Sequence, residues 1–169
     1  RSQLPETPRS MNDGEHYTLK VNNTSIVKYN YKTGAFVDTV MSLHQLKNCP
    51  LKSFSGYEFS PNEAKVLIYN NVKYRYRRTF TADYYVVDLK RKEIVPLSEE
   101  GNQQEVPLFS PDSRYIAFAR QNNLYMKKLD FNTEIAITKD GEVGKILNGL
   151  PDWVYEEEFE ATRLFNWSP

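Results

Sequence analysis

The sequence has very little cysteine, histidine and glycine, and each shortage excludes a class of site. Cys49 is the only cysteine in 169 residues, so no disulfide can form within the chain. The two histidines, His16 and His44, stand far apart, and no Cys/His spacing typical of a metal site is present. Only seven glycines occur, and none belongs to a Gly-rich phosphate loop. We therefore predict no metal and no cofactor.

The sequence also lacks an excess of charge of either sign, because 22 Lys and Arg are balanced by 22 Asp and Glu. A protein that binds nucleic acid or anionic membranes would show a basic excess, so neither partner is predicted. No apolar run approaches the roughly 18–20 residues that a membrane-spanning helix needs. The sequence has no G-x-S-x-G stretch and no Ser/His/Asp arrangement, and so it shows no catalytic machinery of its own.

Aromatic residues are abundant, with 12 Tyr and 9 Phe, as is typical of β-rich proteins. Similar short segments recur at residues 10–14, 59–62, 109–112 and 167–169. When Asn12, Pro61, Pro111 and Pro169 are taken as equivalent positions, the steps between them are 49, 50 and 58 residues. Steps of about 40–50 residues that contain only short strands and turns predict a β-propeller, with one four-stranded blade for each step.

Short β-rich runs, separated by turn residues, predict the strands of each repeat. The first repeat contains HYTLKV, SIVKYNY and AFVDTVM, followed by HQLKNC as a turn or short helix. The second repeat contains KVLIYNN, VKYRYRRTFTA, DYYVVDL and EIVPL. The third repeat contains EVPLFS, the alternating run RYIAFAR, NLYMKKLD and EIAITKD.

These patterns predict an all-β chain that forms about three four-stranded antiparallel blades, with repeats near residues 12–60, 61–110 and 111–168. So few blades do not close a propeller, which typically needs about four to eight of them. The chain also begins at Arg1 rather than Met and stops abruptly at Pro169. We therefore expect the N-terminal part of a larger protein.

The last repeat is about eight residues longer than its neighbours, and the excess contains residues 152–160, DWVYEEEFE. Extra residues in one repeat map to loops, often on a binding face. Pro151 and Asp152 are typical of a helix start, so we expect a short helical insertion that carries the glutamates. Two carboxylates in a partly desolvated cleft make a receptor for a primary ammonium. A solvated acidic turn is the alternative interpretation.

A second candidate is the stretch KYRYRR at residues 73–78, in which basic and aromatic residues alternate. In a strand, Arg75 and Arg77 would share one face. An arginine near the glutamates would hold them ionised and bind a carbonyl oxygen through its fork of N–H groups. The alternative is an edge strand that is protected from association by its charges.

The segment NGLPDWVYEEEFEATRLFNWSP closely resembles the glutamate-motif segment of the prolyl oligopeptidase family of serine peptidases, in its dipeptidyl peptidase IV branch. The upstream segment YRYRRTFTADYYVVDL is similar to the arginine-bearing segment of that family, and the repeats fall in register with it. The resemblance covers essentially all 169 residues and is weakest before Met11. The single cysteine favours a bacterial member, because the animal enzymes are richer in cysteine.

The resemblance implies an eight-bladed propeller followed by an α/β-hydrolase domain that holds Ser, Asp and His and is absent from these residues. The two ammonium-binding glutamates of the family match Glu157 and Glu158, with Glu156 as a supporting residue. The arginine that contacts the substrate carbonyl matches Arg77, and Arg75 is the alternative. The implied function is the substrate-gating part of a serine exopeptidase that releases N-terminal Xaa-Pro or Xaa-Ala dipeptides. The 169 residues alone are expected to be inactive.

The partners implied by the resemblance are peptides with a free N-terminus and the hydrolase domain of the same chain. Dimerisation is a habit of the family that involves parts outside these residues, and the family resemblance suggests the periplasm, the cell surface or secretion as the location. Two alternatives stay open. One is a non-catalytic propeller that binds a ligand or a protein through its acidic insertion. The other is a relative that releases tripeptides or acylated residues.

Overall fold

The structure is a computed structural model that describes residues 8–74, 80–98, 103–121, 123–130 and 133–136. In these ranges the chain is built almost entirely of β-strands, and the HQLKNC region contributes a 3₁₀ turn at Leu43–Gln45. The strands form three four-stranded sheets, and in each sheet consecutive strands are neighbours.

Each sheet is a meander of four strands. Sheet 1 contains β1 (Arg9–Ser10), β2 (His16–Val21), β3 (Ser25–Asn30) and β4 (Phe36–Ser42). Sheet 2 contains β5 (Gly56–Phe59), β6 (Lys65–Tyr74), β7 (Phe80–Asp88) and β8 (Glu93–Pro96). Sheet 3 contains β9 (Glu105–Phe109), β10 (Tyr115–Arg120), β11 (Asn123–Lys128) and β12 (Thr133–Ala136). The predicted fold class of about three antiparallel blades is confirmed, whereas the predicted helical insertion lies outside the described residues.

One turn recurs between the first and second strands of every sheet, and its geometry is clearest in sheet 3. The Ser110 hydroxyl donates to Asp112 Oδ1 at 2.6 Å, and the same oxygen accepts from the backbone N–H of Arg114 at 3.0 Å. The backbone N–H of Tyr115 donates to Ser110 Oγ at 3.0 Å. Side chains thus satisfy backbone groups that the tight reversal leaves without a strand partner.

Sheets 1 and 2 contain the same turn with small changes of residue type. Asn62 Oδ1 takes the place of the Asp112 carboxylate and accepts from the N–H of Ala64 at 3.0 Å. Asp13 Oδ1 accepts from the N–H of Glu15 at 2.8 Å. The carboxylate and the amide therefore serve as interchangeable acceptors at this position.

The residue after this acceptor has a left-handed backbone in all three turns. Its φ is 70° at Gly14, 61° at Glu63 and 66° at Ser113. These shared features place Asn12, Pro61 and Pro111 at one position of the same turn, as the sequence repeat predicts. The turn reverses the chain at a fixed point and thereby sets the register of the strands that follow.

The described residues fall into two compact units. The first unit contains the chain up to Asn71 together with Tyr85–Pro96, and the second contains Val72–Tyr84 together with the residues from Leu97 onward. The first unit has a core of eight buried residues: Ile26, Met41, Leu43, Phe54, Tyr57, Val66, Ile68 and Val87. The second unit buries its own apolar residues, which include Ile116, Phe118, Leu124 and Met126.

Strands β6 and β7 differ from the sequence prediction. The runs KVLIYNN, VKYRYRRTFTA and DYYVVDL predict strand breaks after Asn71 and after Ala82. Both breaks are wrong, because β6 continues to Tyr74 and β7 runs without interruption over Phe80–Asp88. Asn71 has a φ of 54°, a left-handed conformation that asparagine tolerates, so the chain passes through it without ending the strand.

Strand β10 also differs from the prediction for RYIAFAR. The run predicts alternating burial, but every residue from Tyr115 to Arg120 is buried. The strand lies inside sheet 3 between β9 and β11, and both of its faces are covered. The burial of Arg120 is part of the candidate site described below.

The turn between β7 and β8 depends on Asp88, in the first unit. Asp88 Oδ1 accepts from the backbone N–H groups of Lys90 and Arg91 at 3.1 and 3.0 Å, and Oδ2 accepts from the Lys65 ammonium at 2.9 Å. Burial alone would raise the pKa of Asp88. The hydrogen bonds from Arg91 and Lys65 outweigh it and hold the pKa below its ordinary value of 3.8.

The recurring turn yields a prediction with its own internal control. Asp112→Ala removes the acceptor for Ser110 and Arg114 and should lower the free energy of unfolding by about 1–2 kcal/mol. Asp112→Asn should be nearly neutral, because Asn62 fills this position in sheet 2. Urea denaturation of both variants measures the two effects. Equal losses in both variants would contradict the turn's dependence on an acceptor oxygen.

Asp88 predicts a dependence of stability on pH. A carboxyl whose pKa is depressed by folding stabilises the folded state above its unfolded pKa, near 3.8, and this contribution is lost as the pH falls through the lower folded value. The stability difference between the protein and Asp88→Asn should therefore be constant near neutral pH and shrink below about pH 3.8. Urea titrations at several pH values measure it. A difference that does not shrink in acid would rule out the carboxylate as its source.

Candidate functional site

The predicted substrate-binding residues Arg77, Glu157 and Glu158, and the supporting Glu156, lie outside the described residues. The structure instead describes the elements that lead to them along the chain. Arg77 belongs to residues 75–79, which connect the end of β6 to the start of β7. The glutamates follow β12 in the sequence.

The connection at residues 75–79 joins two strands that are neighbours in sheet 2. Its described ends are Tyr74 and Phe80, and both belong to the second unit. A short link between paired strands has its two ends fixed close together by the strand pairing. The end of β6 and the start of β7 therefore determine where this connection begins and ends.

The start of β7 is held by the two residues that precede β9. Ala82 and Gln104 exchange both backbone hydrogen bonds, at 3.1 and 2.9 Å. Asp83 Oδ1 accepts from the backbone N–H of Gln103 at 3.1 Å and from its side-chain Nε2 at 2.8 Å. The Thr81 hydroxyl donates to Gln103 Oε1. We call these five residues the β7 clamp.

The β7 clamp is a consequence of strand geometry. Thr81 and Asp83 are two positions apart in β7, so both side chains lie on one face, where the amide of Gln103 meets both. Thr81, Ala82, Asp83 and Gln104 are all at least 94 % buried. Hydrogen bonds to a buried carboxylate are stronger than those between neutral groups. The clamp therefore holds the strand that follows Arg77 in a fixed place.

A second buried polar group lies at the end of β10. Arg120 Nη1 donates to Ser98 Oγ and to Glu134 Oε2, the latter at 3.2 Å. The Ser98 hydroxyl donates to Glu134 Oε1 at 2.7 Å. The side chains of Arg120 and Glu134 are only 10 % and 15 % exposed. We call Ser98, Arg120 and Glu134 the ionic latch.

An aromatic ring supports the guanidinium of the ionic latch. The Arg120 guanidinium carbon lies 4.2 Å from the ring centroid of Tyr125, a distance at which a cation is attracted to the face of the ring. Tyr125 in turn stacks on Phe118, with centroids 5.6 Å apart and rings inclined by 16°. The ion pair thus joins β10 to β12 across β11, the strand that lies between them.

The β7 clamp and the ionic latch belong to the same unit and are connected along the chain. The backbone N–H of Leu97 donates to the carbonyl of Tyr84 at 2.8 Å, which attaches the residue before Ser98 to β7. A continuous path therefore runs from β7 through Leu97 and Ser98 to Glu134 on β12. The path links the strand after Arg77 to the strand that precedes the glutamates.

The described ranges contain no group of three His, Cys, Asp or Glu side chains arranged to hold a metal ion. In the same ranges no helix is long and apolar enough to cross a membrane. The clamp and the latch together form a buried, hydrogen-bonded base within the second unit.

Comparison with known proteins identifies the family to which the chain belongs. Residues 60–169 match the family described as "Dipeptidyl peptidase IV (DPP IV) N-terminal region". The matched range covers well over half of the chain. The chain belongs to this family.

The relatives agree with this assignment. Human "Prolyl endopeptidase FAP" is 34 % identical over 154 residues, which is 91 % of this chain and 20 % of the relative. The Talaromyces stipitatus protein named "Probable dipeptidyl-aminopeptidase B" is 40 % identical over 111 residues, 64 % of this chain and 12 % of the relative. The crystal structure of Porphyromonas gingivalis dipeptidyl peptidase 4 is similar with a TM-score of 0.76 and 42 % identity, over 80 % of this chain and 20 % of that one. This chain spans about a fifth or less of the length of these relatives.

Sequence reasoning missed the β7 clamp and the ionic latch entirely. Asp83, Gln103 and Glu134 are read from sequence as ordinary residues of strands or loops. A weak signal was present at Arg120, a single charged residue that ends the small and apolar run YIAFA. Its partner Glu134 is 14 residues away and carries no mark in the sequence, since the pairing depends on how three strands lie side by side.

The clamp predicts that substitution of the buried Asp83 lowers the free energy of unfolding. Asp83→Ala leaves the N–H groups of Gln103 without this acceptor and should lower the free energy of unfolding by about 2–3 kcal/mol. Asp83→Asn keeps an acceptor oxygen and should lose less. Asp130→Ala, at an exposed position, serves as the matched control and should be nearly neutral. Thermal and urea unfolding measure the three variants, and equal effects at positions 83 and 130 would refute the clamp.

Proposed function

We propose that these residues form the substrate-gating part of the propeller of a serine exopeptidase that releases N-terminal Xaa-Pro or Xaa-Ala dipeptides. The observation that carries the proposal is the family match over residues 60–169, a range that includes both KYRYRR and DWVYEEEFE. The names of the similar proteins, a prolyl endopeptidase and dipeptidyl peptidases, support it.

In this proposal Glu157 and Glu158 bind the N-terminal ammonium of the substrate. A peptide α-amino group has a pKa near ~8 and is mostly charged at neutral pH. Adjacent carboxylates repel each other, and desolvation disfavours their charged forms further. An arriving ammonium offers three N–H donors and a positive charge, so it offsets both costs. Glu156 supports this pair without contacting the substrate.

Arg77 binds the carbonyl oxygen of the substrate backbone in this proposal. A guanidinium presents its N–H donors in a planar fork, and its positive charge also favours the ionised form of nearby glutamates. The β7 clamp supports this role, because it fixes the strand that begins just after residues 75–79. Side chains on a rigid base hold their geometry better than side chains on a free loop.

In this proposal, fixing the ammonium lets the glutamates set the length of the peptide that is released. We call this arrangement the ruler. An extended residue spans at most about 3.3–3.6 Å, so the carbonyl that ends a dipeptide lies at a set distance from the anchored amine. A nucleophilic serine placed there cuts after the second residue only. The Ser, Asp and His of that reaction belong, in this proposal, to a hydrolase domain outside these 169 residues.

The ruler makes a quantitative prediction for the full-length enzyme. Glu157→Ala or Glu158→Ala should lower kcat/KM for a dipeptide substrate by at least ~10²-fold, because loss of a charged, desolvated partner costs about 2–5 kcal/mol. Steady-state hydrolysis of Gly-Pro-chromophore measures the effect.

Glu156→Gln is the matched control on the same acidic run, and its effect should be much smaller. A loss at Glu156 as large as at its neighbours would show that the assignment is displaced by one residue. Unchanged dipeptide release in both Glu157→Ala and Glu158→Ala would contradict the proposed role of the glutamates in setting the product length.

A further inference from the structure

We infer that the turn between β7 and β8, together with the neighbouring Lys47, is a docking surface for a short acidic segment of a partner protein. The surface consists of four exposed cations, which we call the basic patch: Lys47, Lys90, Arg91 and Lys92. The inference is independent of the proposed peptidase function. The basic patch lies at the end of β7, whereas Arg77 precedes the start of that strand.

The backbone brings the four cations of the basic patch together. Three of them are consecutive in the turn between β7 and β8. The fourth is attached to this turn, because the backbone N–H of Lys47 donates to the carbonyl of Lys92 at 3.1 Å. Lys47 also forms an isolated parallel bridge with Glu93, the first residue of β8. Four positive charges therefore share one small area of the first unit.

The charges of the basic patch are not neutralised by carboxylates of the described residues. Asp88, which begins the turn, is occupied by the Lys65 ammonium at 2.9 Å and by two backbone N–H groups. Within the ranges that the structure describes, none of the four side chains of the basic patch forms an ion pair. Their positive charges are therefore available to an anionic partner.

The backbone of Lys92 points to a role for its charge. Its φ is 56°, in the left-handed region that few residues other than glycine and asparagine adopt. The backbone N–H of Lys92 donates to the carbonyl of Asp88 at 2.7 Å. In the corresponding turn between β3 and β4, the N–H of Gly34 donates to the carbonyl of Asn30 at 2.7 Å.

The two turns also share their side-chain hydrogen bonds. Asn30 Oδ1 accepts from the next two backbone N–H groups but one, as Asp88 Oδ1 does in its own turn. Gly34 has a φ of 71° at the position of Lys92, and glycine adopts this conformation at no steric cost. A lysine thus occupies a position at which the backbone favours glycine. Strain of this kind is typical of residues whose side chain has a function.

The surroundings of the basic patch favour a short acidic segment over a long or flat polyanion. The backbone N–H of Leu89 donates to the carbonyl of Ala64 at 3.2 Å, which places the turn between β5 and β6 beside the patch. That turn contains Glu63, whose carboxylate accepts from the backbone N–H of Asn12 at 2.8 Å. A large polyanion would meet this carboxylate. Three or four extended acidic residues span only roughly 10–14 Å and can contact the basic patch alone.

The experiment measures binding of a dye-labelled, N-acetylated peptide with four consecutive glutamates to the full-length protein by fluorescence anisotropy. The same peptide with four glutamines is the reference probe. Acetylation leaves the peptide without a free amine, so the proposed ammonium site has no group to bind. Failure of the proposed function would therefore leave this measurement unchanged, and the reverse is also true.

The glutamate peptide should bind more tightly than the glutamine peptide, and the difference should shrink as salt is added. Lys92→Asn removes one charge and should weaken binding about 2–5-fold, whereas Lys92→Arg should retain it. Because asparagine tolerates a left-handed backbone, Lys92→Asn should not lower the thermal midpoint of unfolding. Replacement of Lys90, Arg91 and Lys92 together by glutamine should weaken binding about 10-fold or more.

Lys32→Gln is the matched control, because Lys32 is an exposed lysine in the corresponding turn between β3 and β4. It should change the affinity by less than about 2-fold. Equal binding of the two peptides, or equal losses in Lys32→Gln and Lys92→Asn, would overturn the inference. Binding of heparin but not of the glutamate peptide would overturn it as well, since the partner would then not be an acidic peptide. Lys92→Asn keeps the test decisive even if the triple variant does not fold.

Discussion

An antiparallel sheet of four consecutive strands has only two ends, and the arrangement of strands in all three sheets depends on this constraint. The link between the second and third strands and the exit from the fourth strand must lie at the same end. In sheet 2 that link is residues 75–79, and in sheet 3 the exit follows Ala136. Within sheet 2 the ends of β6 and β8 therefore lie at one end of the sheet, and within sheet 3 the same holds for the ends of β10 and β12.

Topology alone sets the order and direction of the strands in a sheet, and buried polar contacts hold neighbouring segments of the second unit together. The β7 clamp attaches the start of β7 to the two residues before β9, and the ionic latch joins Ser98, the end of β10 and β12. Removing one member of a buried, hydrogen-bonded charge pair is costly, about 3–5 kcal/mol, even where the intact pair adds little stability. Such a pair therefore favours the arrangement in which both partners keep their hydrogen bonds.

The sequence predicts the blades well because their signals are local. The recurring turn is encoded within six residues, and the side-chain oxygens of Asp112, Asn62 and Asp13 each accept from the backbone N–H two residues later. The strand end at Asn71 was wrong because local composition does not show that a positive φ can be accommodated inside a long strand. The strand end at Ala82 was wrong because β7 runs without interruption over Phe80–Asp88. The clamp and the latch were missed for a different reason, since their members meet only after separate strands are placed side by side. The predicted roles of Arg77, Glu157 and Glu158 remain predictions.

The central claim is that the paired glutamates read a charged N-terminus. The most direct measurement is hydrolysis of Gly-Pro-chromophore by the full-length enzyme, beside the same substrate with its amine acetylated. Acetylation removes the positive charge and leaves the scissile bond unchanged. The account predicts strong cleavage of the free-amine substrate alone. Equal cleavage of both substrates would contradict it, and cleavage of neither would favour a propeller that binds a ligand without catalysis.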